Sequence, residues 1–450
     1  MNEYRVLSPT AILGYGFPES SFDEGLKRNP DVIAVDAGST DPGPYYLGAG
    51  VSFTDRSAVK RDLELIIAAG LDRKIPVLIG TAGGAGANNH LQWNLQIIKE
   101  LAQENNWHFK LATVQSEIDK EQIKEQIKEG RIEPLHPAPE LTEQELIQTT
   151  SVVAQMGIEP LIQALDQGAD VVLAGRCYDP AVFAADAIRK GYDAGPAIHM
   201  GKILECGAIA AEPGSGSDSA LGTLHADGFI VEPLDPNRKC TVTSVAAHTL
   251  YEKTNPVELP GPGGYLDLTE TKFNQYSDNA VKVTGSKFIP LKKYMVKLEG
   301  AKKAGYRTVS IAGCRDSIMI SKIDEVIEAV RSRVQDNFHR QGYNYNLHFH
   351  IYGKNGVMGE LEPNPTVGHE LGIVIDVVAE DQDTANTICS FTRSTMLHYG
   401  YDGRIATAGN LAFPYSPSDF KVGLVYEFSL YHLMELDNPT AVFPIKMMEV

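Results

Sequence analysis

The sequence has little of what marks a secreted, membrane-spanning or metal-clustered protein. It contains five cysteines in 450 residues, and no two of them form a CxxC pair. This argues against a disulfide framework, a zinc ribbon and an iron–sulfur run, and it favours reduced thiols. No stretch reaches the roughly 18 apolar residues that a membrane-spanning helix needs. The first residues lack a basic segment followed by a long apolar one, so we expect no signal peptide and a cytoplasmic protein.

Positive charge is also scarce. The 58 acidic residues outnumber the 40 basic ones and give a formal net charge of −18. Nucleic acids and anionic membrane surfaces are bound through a positive footprint, so we expect neither as a partner. A small anionic substrate in a local basic pocket remains compatible with this charge.

Several catalytic signatures do not occur: the GxxxxGK[ST] phosphate loop, GxGxxG, the nucleophile elbow GxSxG, and HExxH. Their absence weakens the nucleotide hydrolase, nicotinamide oxidoreductase, α/β-hydrolase and zinc protease classes. His348 and His350 share one face of a predicted strand, but this spacing is common without a metal. We therefore expect no cofactor and no metal site.

The first half of the chain alternates short buried strands with helical patterns. The apolar runs are rich in Val, Ile and Leu and end in glycine or polar residues. They lie at 11–16, 31–38, 76–84, 109–115 and 170–175, with helical spacing at 57–74, 90–105 and 150–168. This alternation predicts an α/β domain over residues 1–222, with a doubly wound, mostly parallel, Rossmann-like sheet.

The second half has a different texture. A Gly/Ser-rich segment at 212–222 precedes mixed strand and helix patterns, which predict an α+β domain over residues 223–450. The apolar segment 421–436 suits an interface strand or an ordinary core strand. We expect a homo-oligomer.

Ligands of α/β sheets bind outside the carboxyl ends of the strands, so loops that follow strands are the candidate sites. Asp36 and Asp41 follow the second predicted strand and are candidate catalytic carboxylates. Ser39 and Thr40 between them offer hydroxyls for substrate binding. The alternative is an Asx turn with a helix cap.

A glycine-dense loop follows the next strand. Its backbone N–H groups are able to cradle an anion, and its asparagines offer directional amide groups. The predicted substrate-binding residues in this loop are Thr81, Gly83, Gly84, Gly86 and Asn88. The alternative is a close strand–helix crossing that needs small residues, with His90 as a packing residue rather than an acid or base.

Two further candidate groups follow. Arg176 and Asp179 come after another predicted strand, where the guanidinium suits a carboxylate or phosphate, although the two residues also suit each other. Glu205 beside a glycine is a candidate acid/base. Cys206 is a candidate nucleophile if a histidine contacts it, whereas most buried cysteines are inert.

The segments DAGSTDPGPYYLG, GTAGGAG, AGRCYDPAVFAA, LECGA, CTVTSVAAHTLYE and GRIATAGNLAFPYSPSD together resemble the acyclic terpene utilisation family AtuA. The resemblance covers roughly residues 5–430. It implies a bacterial or archaeal cytosolic metabolic protein, and association with a small companion protein often encoded beside family members.

The candidate residues favour a lyase of the hydratase/dehydratase type that acts on a small carboxylate or an acyl thioester. A carboxylate removes a proton beside a carbonyl group, and backbone N–H groups steady the enolate. Two alternatives remain: acyl transfer or hydrolysis through Cys206, and a non-catalytic ligand-binding subunit of a two-protein complex.

Overall fold

The computed structural model describes residues 3–405 and 409–450, so residues 406–408 of the segment GRIATAGNLAFPYSPSD lie outside the described residues. Its strands, in chain order, are β1 (Tyr4–Ser8), β2 (Val32–Asp36), β3 (Val77–Gly80), β4 (Lys110–Val114), β5 (Ile132–Pro134), β6 (Thr149–Ala154), β7 (Val171–Ala174), β8 (Ala211–Glu212), β9 (Ala220–His225), β10 (Gly228–Pro233), β11 (Lys239–Cys240), β12 (Glu258–Gly261), β13 (Gly264–Asp267), β14 (Lys272–Gln275), β15 (Val281–Thr284), β16 (Lys287–Pro290), β17 (Tyr294–Cys314), β18 (Tyr345–Tyr352), β19 (Leu371–Ala379), β20 (Asp419–Leu436) and β21 (Ile445–Glu449).

The helices are α1 (Glu19–Lys27), α2 (Pro44–Ala49), α3 (Arg56–Arg73), α4 (Asn88–Asn105), α5 (Lys120–Lys128), α6 (Glu143–Gln148), α7 (Glu159–Asp166), α8 (Asp179–Arg189), α9 (Ala194–Leu204), α10 (Val242–Thr249), α11 (Ser317–Ser321), α12 (Ile323–Phe338) and α13 (Gln382–His398). Two short 3₁₀ helices span His339–Gln341 and Gly359–Leu361. In the described part of the chain, none of the helices combines the length and apolar character needed to cross a bilayer.

The chain forms two compact units. One contains the residues up to Lys302 together with Phe428–Val450, and the other is Lys303–Glu427. This division differs from the expected one, because the expected boundary at 222/223 falls inside β9. Residues on both sides of that boundary pair with β1 in one antiparallel ladder.

The first unit contains a ten-stranded sheet with the order β14-β15-β10-β9-β1-β2-β3-β7-β4-β21. The five central strands, β1, β2, β3, β7 and β4, run parallel. Antiparallel pairing of β9 with β1 and of β21 with β4 continues the sheet on each side. The expectation of an α/β fold is therefore confirmed as a mixed α/β structure with large sheets.

Both faces of the parallel centre are buried, which explains the continuous apolar runs of its strands. Successive side chains of a strand point to opposite faces. Ala34 belongs to a buried cluster that contains Phe183 of α8, whereas the adjacent Ile33 belongs to a cluster that contains Ile66 of α3. Helices pack against both faces, and the carboxyl ends of the strands are left as the edge from which loops emerge.

The second unit is built on antiparallel strands. β19 pairs with β17 on one side and with β18 on the other. Every other residue of β19 is buried, as for a sheet with one covered face. Ile375 of β19 packs in one cluster with Val330 of α12 and Ile388 of α13.

Two predicted elements were wrong. Residues 11–16 are a loop rather than a strand, because Gly14 and Gly16 adopt positive φ and donate their N–H groups to the buried carboxylate of Asp62 at 2.9 and 3.1 Å. The helical pattern at 150–168 is divided between β6 and α7. The β-branched pair Val152 and Val153 lies in β6, where it pairs with β17.

Candidate functional site

A polar cavity of about 320 Å³ lies within the first unit, at the carboxyl ends of the parallel strands. Loops after β2, β6 and β7 and the end of α9 contribute to its wall. Its lining includes the cations Arg176, Lys202, Lys253 and Lys297, the carboxylates Asp41, Asp179, Glu205 and Glu252, and Gln155, Tyr178, Pro180, Pro260 and Tyr431. Its size is near the lower end of the about 300–1,000 Å³ range of small-molecule sites.

Arg176 is held by the chain's own carboxylates. Its Nε donates to Glu299 Oε2 at 2.8 Å and its Nη2 to Glu299 Oε1 at 3.5 Å. Its Nη1 donates to Asp179 Oδ1 at 2.8 Å and to the carbonyl of Cys177 at 2.6 Å. These four hydrogen bonds engage most of the five N–H donors of the guanidinium. Arg176 and Asp179, predicted as substrate-binding residues, are thus brought together, but chiefly to bind each other and Glu299.

Glu299 is the counter-charge of this network and is almost completely buried. Burial alone raises the pKa of a carboxyl group, but the charges of Arg176 and Lys297 outweigh burial and lower the pKa of Glu299 to about 2. Lys297 Nζ lies 2.6 Å from Glu299 Oε1. Glu299 is therefore ionised at neutral pH and serves as the anchor of two cavity cations.

The glycine-dense loop positions Arg176 through close backbone packing. A Cβ added to Gly86 would lie 2.1 Å from the backbone nitrogen of Arg176. That nitrogen donates to Ser116 Oγ at 2.6 Å, and Ser116 Oγ donates to the carbonyl of Gly86 at 2.9 Å. Gly86 is therefore needed because no side chain fits between the two loops.

The remainder of the loop is also filled by the protein's own atoms. An added Cβ would lie 2.8 Å from His90 Cβ at Gly83, and 2.8 Å from Phe53 Cβ at Gly84. Thr81 Oγ1 accepts a hydrogen bond from the N–H of Cys177. These contacts correspond to the alternative interpretation of this loop, a crossing that requires small residues.

The N-terminus of α4 already carries an anion. The N–H of Asn88 donates to Glu117 Oε2 at 2.8 Å, so a carboxylate of the chain occupies the position where a bound anion was expected. His90 Nε2 lies 3.1 and 2.9 Å from the carbonyls of Tyr46 and Val51, and burial lowers its pKa. A neutral His90 that donates to these carbonyls acts as a packing residue.

Glu205 and Lys202 form the second charged pair of the cavity. Both side chains are buried at the end of α9, and Lys202 Nζ donates to Glu205 Oε1. Glu205 Oε2 has no hydrogen-bond partner among the described residues. Burial raises the pKa of Glu205 to about 7, a rise that Lys202 opposes and Asp179 reinforces. This carboxyl group therefore exchanges a proton near neutral pH.

Asp36 lies at the end of β2, beneath the same group of charges. Burial and the charges of Asp179 and Glu205 raise its pKa well above the ordinary value, although Arg176 opposes the rise. Asp36 Oδ1 is buried and has no hydrogen-bond partner among the residues that the structure describes. Burial therefore favours the protonated form of Asp36 more strongly than for an exposed aspartate.

The loop after Asp36 is partly separated from this cluster. Asp41 lines the cavity but is exposed, and its N–H donates to Ser39 Oγ at 3.1 Å, which makes a local turn. Thr40 is buried beside it. Asp41 therefore reaches the cavity from the solvent side, whereas Asp36 lies below it.

The cysteine beside Glu205 is not activated. Burial and the charge of Glu205 raise the pKa of Cys206. A raised pKa keeps the thiol protonated at neutral pH, whereas a nucleophilic cysteine requires a lowered pKa. Cys177 behaves similarly, since burial raises its pKa to about 12.

A second, larger groove of about 520 Å³ lies at the amino end of β1, on the opposite side of the strands from the usual ligand edge. Its arginines are already paired: Arg5 with Glu3 at 2.5 Å, and Arg28 with Glu232 at 3.4 Å. Its residues form no buried acid/base pair like that of Lys202 and Glu205. We therefore take the smaller cavity as the candidate functional site.

Histidine and carboxylate groupings suited to a metal ion, with three or more ligands, do not occur among residues 3–405 and 409–450. His350 Nε2 instead lies 3.7 Å from Asp376 Oδ2 on the neighbouring strand.

The sequence patterns missed Lys253, Lys297 and Glu299. Lys297 and Glu299 alternate with buried apolar residues in β17, and charged residues at i, i+2 in such a strand are a usable signal. Lys253 follows α10 in a loop without periodicity. Its place in the cavity is set only by the tertiary fold.

These features define a mixed α/β protein with a carboxylate- and lysine-lined cavity at the carboxyl edge of a parallel sheet. The chain belongs to the family described as Acyclic terpene utilisation family protein AtuA, whose family model matches residues 56–409. This match confirms the resemblance drawn from the sequence and suggests a metabolic role. The comparison with curated proteins and the comparison with solved structures each gave no match.

The packing of Gly86 predicts that adding a single methyl group at this position lowers the stability of the fold by an unusual amount. Gly86→Ala combines a left-handed φ of +73° with a backbone clash, so the thermal midpoint should fall more than in Gly130→Ala. Gly130 has a similar φ of +67° but open space around it. Gly130→Ala should therefore lose only the about 1–2 kcal/mol that an L-residue loses in the left-handed conformation. Equal melting temperatures by calorimetry would contradict the packing role.

The buried ion pair predicts a large loss of stability in Glu299→Gln. Removing one partner of a buried pair typically costs about 3–5 kcal/mol, because the other charge is left uncompensated. Chemical denaturation measures this loss. The exposed pair of Arg56 and Glu100 supplies the control, and Glu100→Gln should change stability far less.

The same ion pair determines whether folding stability rises or falls with pH in the acidic range. The pKa of Glu299 is lower in the folded chain than its ordinary value of 4.5, so its contribution is present above 4.5 and is lost as the pH falls towards about 2. The stability difference between wild type and Glu299→Gln should shrink over that interval. A difference that grows on acidification would contradict the assignment.

Proposed function

We propose that this chain is a metabolic enzyme, a carbon–oxygen lyase of the hydratase/dehydratase type that acts on a small carboxylate or acyl thioester. The observation that carries the proposal is Glu205. It is buried in a polar cavity, has one oxygen on Lys202 and the other unpartnered, and has a pKa of about 7. A general base is most effective when its pKa lies near the working pH.

Glu205 alone provides both the base and the acid that the proposed elimination needs. Its unpartnered Oε2 removes a proton from the carbon beside the substrate's carbonyl or carboxylate group. The electrons of that C–H bond form the double bond as the neighbouring C–O bond breaks. The same proton passes from Glu205 to the departing hydroxyl, which leaves as water. Hydration is the reverse sequence, and Glu205 returns to its starting state in both directions.

Lys202 and Asp36 support this chemistry. The ammonium of Lys202 stays charged, because Glu205 raises its pKa against the opposing effect of burial, and it offsets negative charge that develops on the substrate. Asp36 lies close enough for the charge of Glu205 to raise its pKa, so the charge states of the two carboxyl groups are linked.

The alternative through Cys206 has less support, because a thiol with a raised pKa is a poor nucleophile. Complete alkylation of Cys206 with iodoacetamide distinguishes the two routes, since the lyase needs no thiol.

We expect Glu205→Gln to bind substrate while kcat falls by about 10²–10⁴-fold, the usual contribution of a general acid or base. Glutamine preserves the hydrogen bond from Lys202 but accepts no proton. The assay follows formation or loss of the double bond with matched hydroxy and unsaturated carboxylates and their thioesters. The chain is tested alone and with the small companion protein that the family resemblance implies.

The pH profile provides a second readout. Because ionised Glu205 is the base, dehydration should rise with pH through an apparent pKa of about 7. Glu104→Gln, a change at an exposed carboxylate paired with Lys60, is the control and should preserve the profile. Saturable binding without turnover at every pH, alone and with the companion, would instead favour the non-catalytic alternative.

A further inference from the structure

Lys253 differs from the other cations of the cavity in lacking a counter-ion. Arg176 and Lys297 bind Glu299, and Lys202 binds Glu205. For Lys253, no carboxylate among the described residues lies within ion-pair distance. Its Nζ instead lies 5.9 Å from the centre of the Tyr178 ring, at the cavity wall.

This arrangement is costly in the free protein. A half-buried ammonium without a partner loses hydration and gains little in exchange. Burial and the charge of Lys202 lower the pKa of Lys253, while Glu205, Asp179 and Glu252 raise it from beyond ion-pair distance. A carboxylate bound from outside the chain would supply the missing counter-charge.

We propose that Lys253 binds a free carboxylate group of the substrate, so that the cavity selects small hydroxycarboxylates over the corresponding esters and thioesters. This inference rests on the proposed function. The sequence suggested Arg176 as the anion-binding residue. We assign that role to Lys253 instead, because Lys253 forms no ion pair with a carboxylate among the described residues.

The unpartnered groups of the cavity match such a molecule at two points. Lys253 provides a donor for the carboxylate, and the carboxylate of Glu205, which also lines the cavity, provides an acceptor for the hydroxyl group. The volume of about 320 Å³ suits a short acid, and the carrier portion of a thioester would have to remain outside.

The test is calorimetric binding of 2-hydroxybutanoate, 3-hydroxybutanoate and malate, each beside its methyl ester, to the full chain. The acids should bind and the esters should bind at least about tenfold more weakly, since a charge-assisted hydrogen bond is lost. Lys253→Met should weaken binding of the acids by a similar factor and leave the weak binding of the esters unchanged. Lys253→Arg should retain the preference for acids.

Two controls separate this inference from the proposed function. Lys292→Met changes an exposed lysine outside the cavity and should bind the acids as wild type does. Glu205→Gln alters the contact to the hydroxyl group, which acid and ester share, so it should also retain the preference for acids. Unchanged melting temperatures show that each variant is folded.

The outcomes are distinct. Equal binding of acids and esters, or of wild type and Lys253→Met, overturns the inference even if Glu205-dependent turnover is found. Absence of binding by every acid also overturns it. Lys253-dependent binding of acids without turnover supports the inference and counts against the lyase.

Discussion

The buried ion pair between Arg176 and Glu299 is the interaction on which the site depends. It joins the loop after β7 to β17, and Glu299 also holds Lys297 at the cavity wall. Two charges this deeply buried are stable only when each compensates the other. The close approach of Gly86 and the hydroxyl of Ser116 fix the backbone of Arg176 from the opposite side. The cavity wall is thereby set before any ligand binds.

This pairing divides the charges of the cavity into two groups. Arg176 and Lys297 are compensated by Glu299 and Asp179, and these four residues form the scaffold. Glu205 and Lys253 retain unsatisfied capacity, one as an unpartnered oxygen and the other as an ammonium without a counter-ion. Chemistry and binding are therefore proposed for these two residues and not for Arg176, whose guanidinium is already paired. Whether a charged group already has a partner therefore indicates its role better than its exposure to the cavity does.

The central strands were predictable because parallel strands buried on both faces have continuous apolar sequences, as in β2, β3 and β7. Asp36, Arg176 and Glu205 were also predictable as site residues. Asp36 ends a strand, Arg176 follows one, and Glu205 lies two residues before a glycine. The partner of Arg176 could not be predicted from the sequence, because Glu299 lies 123 residues away in a strand whose pairing is set by tertiary structure. The glycine-dense loop signalled a close approach correctly, but the approaching group includes the backbone of Arg176.

A single structure would test directly whether the carboxylate of a bound hydroxy acid contacts Lys253 while the Arg176–Glu299 pair stays intact. The measurement is a crystal structure of the chain with 3-hydroxybutanoate. We expect a carboxylate oxygen within hydrogen-bond distance of Lys253 Nζ and the hydroxyl group beside Glu205. A carboxylate seated on Arg176, with Glu299 displaced, would contradict it.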